Sequence, residues 1–349
     1  MRRGSIVQLV LLGVLFGGGA AAVALLVPWL PDPASEQADR IDFVFWFVTT
    51  ICIAIFALVA AVIVYSLIKF RARPDDDSDG PPVHGHTGLE IVWTAVPAIL
   101  VTAISIVSAV VLARNDHLPQ ASAAGPKDPL KPLIVKVTAQ QFAWLFTYPA
   151  YGNVTTSTLR LPLDVPVDLK LKSLDVIHSF WVPEFGQKQD AVPGLDTHVV
   201  VTPKRLGTFP VICTELCGLG HALMRSWTTV MPRADFVKWA NAQKKATGGG
   251  ASGGATAAGK TIFVNNGCNG CHTFKPAAAN GTVGPDLDKL TEAAKKAGQP
   301  LDAFIRQSIV DPNAYIAPGY PKGVMPETFA SLPKPQLDAL VKFLLGGSK

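Results

Sequence analysis

The sequence predicts a multi-domain membrane protein with spanning helices first, an all-β domain next and an all-α domain last. Three observations predict it. Residues 4–31, 43–68 and 91–113 contain no charged side chain; residues 130–232 hold short alternating and β-branched runs; and beyond a Gly/Ala-rich stretch at 246–259 the pattern turns helical. At 349 residues and 49% hydrophobic composition the chain could be one domain or several, so the distribution of charge decides the division.

Each uncharged stretch exceeds the roughly 20 apolar residues that cross a bilayer core. The first, within 1–31, follows Met1, Arg2 and Arg3 and contains Gly17, Gly18 and Gly19; it reads either as a signal peptide or as an N-terminal transmembrane segment. Residues 40–115 form a transmembrane hairpin. Its first span ends in Lys69, Arg71 and Arg73, which marks the connecting loop as cytoplasmic. Everything after about residue 115 then lies on the outer face. Pro97 is tolerable in a membrane helix that packs against neighbours. Asp75, Asp76 and Asp77, with His84 and His86 beyond them, read as a solvated loop, and Cys52 as an inert cysteine within a span.

Residues 133–138 and 165–171 alternate, while 197–201 and 227–230 are β-branched runs bounded by Pro and Gly. Several short strands without helical periodicity between them predict a sandwich or Greek-key barrel over 128–242, with a helix starting behind Ala234. Residues 243–259 read as a flexible linker. Residues 260–349 then form a small helical domain, with helices over 260–266, 301–310 and 335–345.

Two motifs carry chemistry. Cys268-Asn269-Gly270-Cys271-His272 has the C-x-x-C-H spacing of a covalent haem attachment site, two thiols for the porphyrin and an imidazole for the iron. Upstream, Cys213, Cys217, His221 and Met224 cluster thiolate, imidazole and thioether donors, the soft set used by copper electron-transfer sites. A disulfide between Cys213 and Cys217 is the rival reading, but it needs neither His221 nor Met224. With five cysteines and four methionines in the chain, Cys52 is the one thiol outside both motifs, and Met325 is the only thioether available as a sixth haem ligand in the last hundred residues. Two redox centres on one chain point to electron transfer.

At this point the chain resembles a known family. Residues 40–240 resemble subunit II of a haem–copper cytochrome c oxidase, and 258–349 are similar to a class I cytochrome c fused to it, as in the caa-type oxidases. The resemblance implies a cupredoxin-like all-β Greek-key domain followed by an all-α cytochrome c domain. It implies a dinuclear CuA copper centre held by His178, Cys213, Cys217, His221 and Met224 and the backbone carbonyl of Glu215, whose side chain points to a Mg ion shared with subunit I. Haem c is attached at Cys268 and Cys271, with His272 and Met325 as axial ligands and the segment from Gly284 to Leu287 packing on the ring. Glu90 matches the acidic residue at the cytoplasmic mouth of a proton pathway, although an acid there also serves simply to end a helix. Asp175 and Asp190 match residues that attract lysine-rich cytochromes. Phe142 departs from the pattern, standing where the family commonly has an exposed tryptophan.

The function implied is electron entry into a proton-pumping cytochrome c oxidase in a bacterial plasma membrane. Haem c receives electrons from a quinol–cytochrome c reductase or a small cytochrome c and passes them to CuA, which feeds subunit I for reduction of oxygen to water. The implied partners are subunits I and III and the membrane, with no nucleic acid. The alternatives are the electron-transfer subunit of a CuA-containing nitric oxide reductase and a non-catalytic membrane-anchored redox relay.

Overall fold

The computed structural model describes residues 3–71, 82, 84–117, 132–248, 255–325 and 327–348, so the acidic run at 75–77 lies outside the described residues. The chain divides into two compact units, one of Met1–Asp32 with Asp39–Asn115, the other of Pro33–Ala38 with Asp116–Lys349.

The first unit is three helices, α1 (Arg3–Leu26), α2 (Glu36–Lys69) and α3 (Thr87–Asp116), all long and apolar enough to cross a membrane. At about 1.5 Å per residue, even the 24 residues of α1 exceed the hydrocarbon thickness of roughly 30 Å. Their apolar side chains are largely exposed, as lipid-facing residues should be. α1 meets α2 where Gly17 leaves room for Ala57, a Cβ added at Gly17 lying 3.3 Å from that of Ala57, the small-residue approach that membrane helices use in place of hydrophobic drive. Arg40 Nη1 donates to Asn115 Oδ1 at 3.3 Å, which ties the start of α2 to the end of α3 as an antiparallel hairpin. Cys52 is exposed on α2.

The second unit begins with ten strands: β1 (Leu133–Gln140), β2 (Ala143–Tyr148), β3 (Val154–Thr156), β4 (Leu159–Pro162), β5 (Val167–Ser173), β6 (His178–Trp181), β7 (Lys188–Ala191), β8 (Thr197–Val201), β9 (Gly207–Cys213) and β10 (Arg225–Met231). They form two five-stranded sheets, ordered β3-β2-β1-β5-β8 and β4-β10-β9-β6-β7. Neighbours are antiparallel except β1 with β5 and β4 with β10, which run parallel. The inward residues of both sheets share one core, including Val135, Val137 and Leu169 from one and Phe180, Val211 and Val230 from the other, so the domain is a sandwich. Residues 33–38 belong to it as well. Ala34 N donates to the Glu184 carbonyl at 2.7 Å, Ser35 Oγ to the Phe185 carbonyl at 2.9 Å, and Gln37 Oε1 accepts from Thr202 N at 2.9 Å.

Helix α4 (Arg233–Gly248) buries Phe236 and Ala240, one turn apart, and Arg160 stacks over the Trp239 ring at 4.9 Å. The cytochrome-like portion follows with α5 (Ala255–Asn265), α6 (Cys268–Cys271), β11 (Thr273–Phe274), β12 (Ala279–Asn280), α7 (Leu290–Lys296), α8 (Leu301–Val310) and α9 (Lys334–Gly347). Phe263, Phe274 and Phe343 pack ring against ring at 5.3 to 5.9 Å in its core. The stretch 243–259 differs from a flexible linker: α4 occupies its start and α5 its end, leaving 249–254 outside the described residues. Alanine at 255, 257 and 258 favours helix, and α5 packs closely on α9, Gly259 sitting against Ala339 and Phe343.

Candidate functional site

His178 opens β6 and Cys213 closes β9, and these two strands are paired neighbours, so backbone pairing alone brings the residues together. Beyond Cys213 the chain loops through Cys217 and a short 3-10 turn, His221–Leu223, and returns as β10 just after Met224. The donors form a closed set. Cys213 Sγ lies 3.9 Å from His178 Nδ1 and 3.9 Å from Cys217 Sγ. Cys217 Sγ lies 3.6 Å from His221 Nδ1 and 3.8 Å from Met224 Sδ. The Glu215 carbonyl is 3.3 Å from Cys213 Sγ, while the Glu215 side chain is on the exposed loop surface. A sulfur separation of 3.9 Å is nearly twice the roughly 2.05 Å of a disulfide, and both thiols are free.

Burial makes this an expensive place for unbound polar groups, since His178 and Met224 are fully inaccessible and Cys213 and Cys217 nearly so. Asp175 is what holds His178. Its Oδ1 meets His178 Nε2 at 2.7 Å and its Oδ2 accepts from Gln141 N at 2.6 Å, so the imidazole presents Nδ1 to Cys213, the outer-shell support typical of metal-bound histidine. Burial raises the Asp175 carboxyl, but the hydrogen bonds with His178, Gln141 and Val176 together outweigh it and leave the group below its usual range. Burial likewise lowers His178, yet Asp175 and Cys213 carry it up to about 8. The two thiols are driven apart. Burial raises Cys213, but its hydrogen bonds with His178, Ser179, Glu215 and His221 together bring it down to about 7, whereas burial and then the neighbouring Cys213 push Cys217 up to about 12. Gln141 Nε2 donates to the Cys217 carbonyl at 2.6 Å, and the Trp144 ring stands edge-on to His178 at 6.2 Å.

The second motif opens onto an apolar cavity lined by Cys268, Cys271, His272, Leu290, Ile305 and Met325, among others. His272 Nδ1 bonds the Pro285 carbonyl at 2.8 Å, leaving Nε2 for a ligand, and burial keeps the ring below its usual range, in the neutral form that ligation requires. Gly284 is obligatory here, since an added Cβ would lie 2.5 Å from the His272 ring. The residues fit a haem: two thiols, a neutral imidazole and a thioether around an apolar wall.

Two residues, Asp175 and Phe142, stand differently from the sequence reading. Asp175 does not face solvent as a steering charge; its side chain is 11% accessible and turned onto His178, whereas Asp190 is exposed and accepts from Ser179 Oγ at 2.7 Å. Phe142 is buried, its ring against Gly218 and Gly220. Glu90 belongs to the first unit, where its Oε1 accepts from His86 N at 3.1 Å while His86 Nδ1 accepts from Leu89 N at 3.1 Å. This reciprocal pair caps the start of α3. The Gln141 support carries no spacing signal, because folding brings Cys217 to it across 76 positions, whereas the Asp175–His178 pair and the His86–Glu90 cap are local contacts three and four residues apart.

A β sandwich bearing soft metal donors, a haem-binding helical domain and membrane-spanning helices together define a membrane-bound electron-transfer protein. Residues 22–111 match the cytochrome c oxidase subunit II transmembrane domain, 155–229 its periplasmic domain, and 256–348 cytochrome c. The chain is 35% identical over 254 residues to cytochrome c oxidase subunit 2 of Synechocystis sp., covering 62% of this chain and 76% of that protein. It is 30% identical over 329 residues to cytochrome c oxidase subunit 2 of Bacillus subtilis, covering 90% of each. Quinol oxidase subunit 2 of Bacillus cereus is 30% identical over 227 residues, 65% of this chain and 75% of that protein. The chain belongs to the cytochrome c oxidase subunit II family and carries a fused C-terminal cytochrome c domain. It is a multi-pass membrane protein with its metal and cytochrome domains in the periplasm, the electron-entry subunit of an oxidoreductase complex.

Proposed function

We propose that His178, Cys213, Cys217, His221 and Met224, with the Glu215 carbonyl, hold a dinuclear CuA centre, and that Cys268, Cys271, His272 and Met325 hold covalent haem c. The observation that carries the reading is the chain of donor contacts from His178 through both sulfurs to His221 and Met224, each step 3.6 to 3.9 Å. Cys213 and Cys217 would supply the thiolate donors for the copper pair, which would provide one-electron exchange. The protein's own part is to fix the donors. Asp175 orients His178, Gln141 anchors the Cys217 carbonyl, and the core around Trp144 and Phe180 keeps water out. In the haem domain the Pro285 carbonyl sets the tautomer of His272.

On this reading electrons arrive from a quinol–cytochrome c reductase or a small cytochrome c, pass from haem c to CuA and continue to the haem–copper subunit I, beside subunit III. Oxygen is reduced there with proton translocation. A relay that begins at a haem accepts one electron at a time, which favours a protein donor over a quinol. Glu215, exposed on the loop, contributes its side chain to a Mg ion at the subunit I interface. Glu90 combines its capping bond with proton entry on the cytoplasmic side. The contact of Gly17 with Ala57 and of Phe16 with Phe56 supports a retained first helix rather than a cleaved signal.

Cys217→Ser in the assembled oxidase tests the copper assignment. The mixed-valence copper signal in electron paramagnetic resonance should vanish and copper content should fall, with the haem c spectrum unchanged. A wild-type enzyme holding one mononuclear copper per subunit II at full occupancy would refute the dinuclear centre.

A further inference from the structure

The periplasmic ends of α2 and α3 enclose a groove lined by residues of the first unit alone. Asp39 and Arg40, near the start of α2, and Arg114, in the last turn of α3, stand at its mouth, and Phe43, Val110 and Val107 wall it below. Along each helix the charged residues come at the end and the apolar ones toward the bilayer middle. From Arg114 to Val107 the rise is roughly 10 Å at about 1.5 Å per residue, most of a hydrocarbon leaflet about 15 Å thick. Arg40 Nη1 donates to Asn115 Oδ1 at 3.3 Å, which holds its guanidinium at the end of α3. Arg114 is exposed and makes no hydrogen bond or ion pair among the described residues.

We propose that this groove binds one anionic phospholipid of the outer leaflet, with its phosphate between Arg40 and Arg114 and one acyl chain against Phe43 and the valines. A guanidinium is a planar fork of N–H donors that matches two phosphate oxygens. Two guanidiniums against the single Asp39 carboxylate leave the mouth net positive, which selects an anionic headgroup over a zwitterionic one. A phospholipid also carries its charge and its chain in the order in which the groove presents their partners. A helix of another subunit would cover the apolar walls equally well, but it would have to bring its own acid to Arg114. The bound phosphate bridges α2 and α3, so the lipid fastens the hairpin at the two ends that join the second unit.

The test uses the assembled oxidase in detergent, stripped of loosely held lipid and titrated with phosphatidylglycerol that carries a photoreactive diazirine on one acyl chain. Labelled peptides are read by mass spectrometry after irradiation. Wild type should label saturably over residues 106–114, and plain phosphatidylglycerol should compete several-fold better than phosphatidylcholine or phosphatidylethanolamine. Arg114→Gln should raise the half-labelling concentration by at least about tenfold, the loss of one charge-assisted hydrogen bond, and Arg114→Lys should recover part of it. Val107→Phe fills the groove and should reduce labelling with both guanidiniums in place. Equal competition by the zwitterionic lipids would overturn the headgroup assignment. Labelling unchanged in both Arg114→Gln and Val107→Phe would overturn the site, as would its absence from 106–114 in wild type because a helix of another subunit covers the groove. Visible spectra and subunit content check that each variant assembles; if Val107→Phe does not, Arg114→Gln and the headgroup comparison decide.

Discussion

Asp175→Asn keeps the shape of the side chain but removes the anion from His178 Nε2, 2.7 Å away. Outer-shell partners of this kind are typically worth about 10- to 100-fold in metal affinity, so copper should bind more weakly by that order, measured by chelator competition, with the haem spectrum unaltered. Met325→Ala should leave haem attached through Cys268 and Cys271 but lower its reduction potential, since a thioether ligand raises the potential of haem iron; redox titration with the sulfur–iron absorption band checks it, and an unchanged potential would exclude Met325 as the sixth ligand. The proposed donor side chains stood out in the sequence because Cys213, Cys217, His221 and Met224 sit on one loop and the haem motif is a contiguous run. The supports from Asp175 and Gln141 did not. Gln141 reaches Cys217 across 76 positions of sequence, and no local pattern encodes that contact.

Among the elements, α3 shows how one residue serves two readings. Glutamine accepts the same hydrogen bond from His86 N that Glu90 does, so Glu90→Gln preserves the cap and removes only the charge. Copper and haem content should stay intact while steady-state oxygen reduction slows, by less than the roughly 10²-fold typical of a lost acid–base group, because water can bypass a pathway entrance. Turnover equal to wild type from about pH 6 to 9 would leave Glu90 as a cap alone. The strands that alternate were legible: β1 buries Leu133, Val135, Val137 and Ala139 and turns Ile134 and Lys136 outward. β2 was not, because five of its six side chains are buried and the period of two disappears. The short strands β3, β4, β6 and β7 hold three or four residues each, too few for any period to show. Helix α8 was legible to the residue, since Phe304, Ile305 and Ile309 mark one face.

At the scale of the whole molecule, Pro33–Ala38 comes before the bulk of the second membrane helix and all of the third in sequence yet belongs to the unit that holds the β sandwich. The bonds from Ala34, Ser35 and Gln37 to the β sandwich have a further consequence. Residues 34 and 184 hydrogen-bond directly, so they occupy the same side of any membrane. The chain between them must therefore cross an even number of times, and α2 and α3 supply two crossings. That both ends of the hairpin share one side thus follows from parity, independently of the basic residues after α2, and a tag placed at either end should report the same compartment.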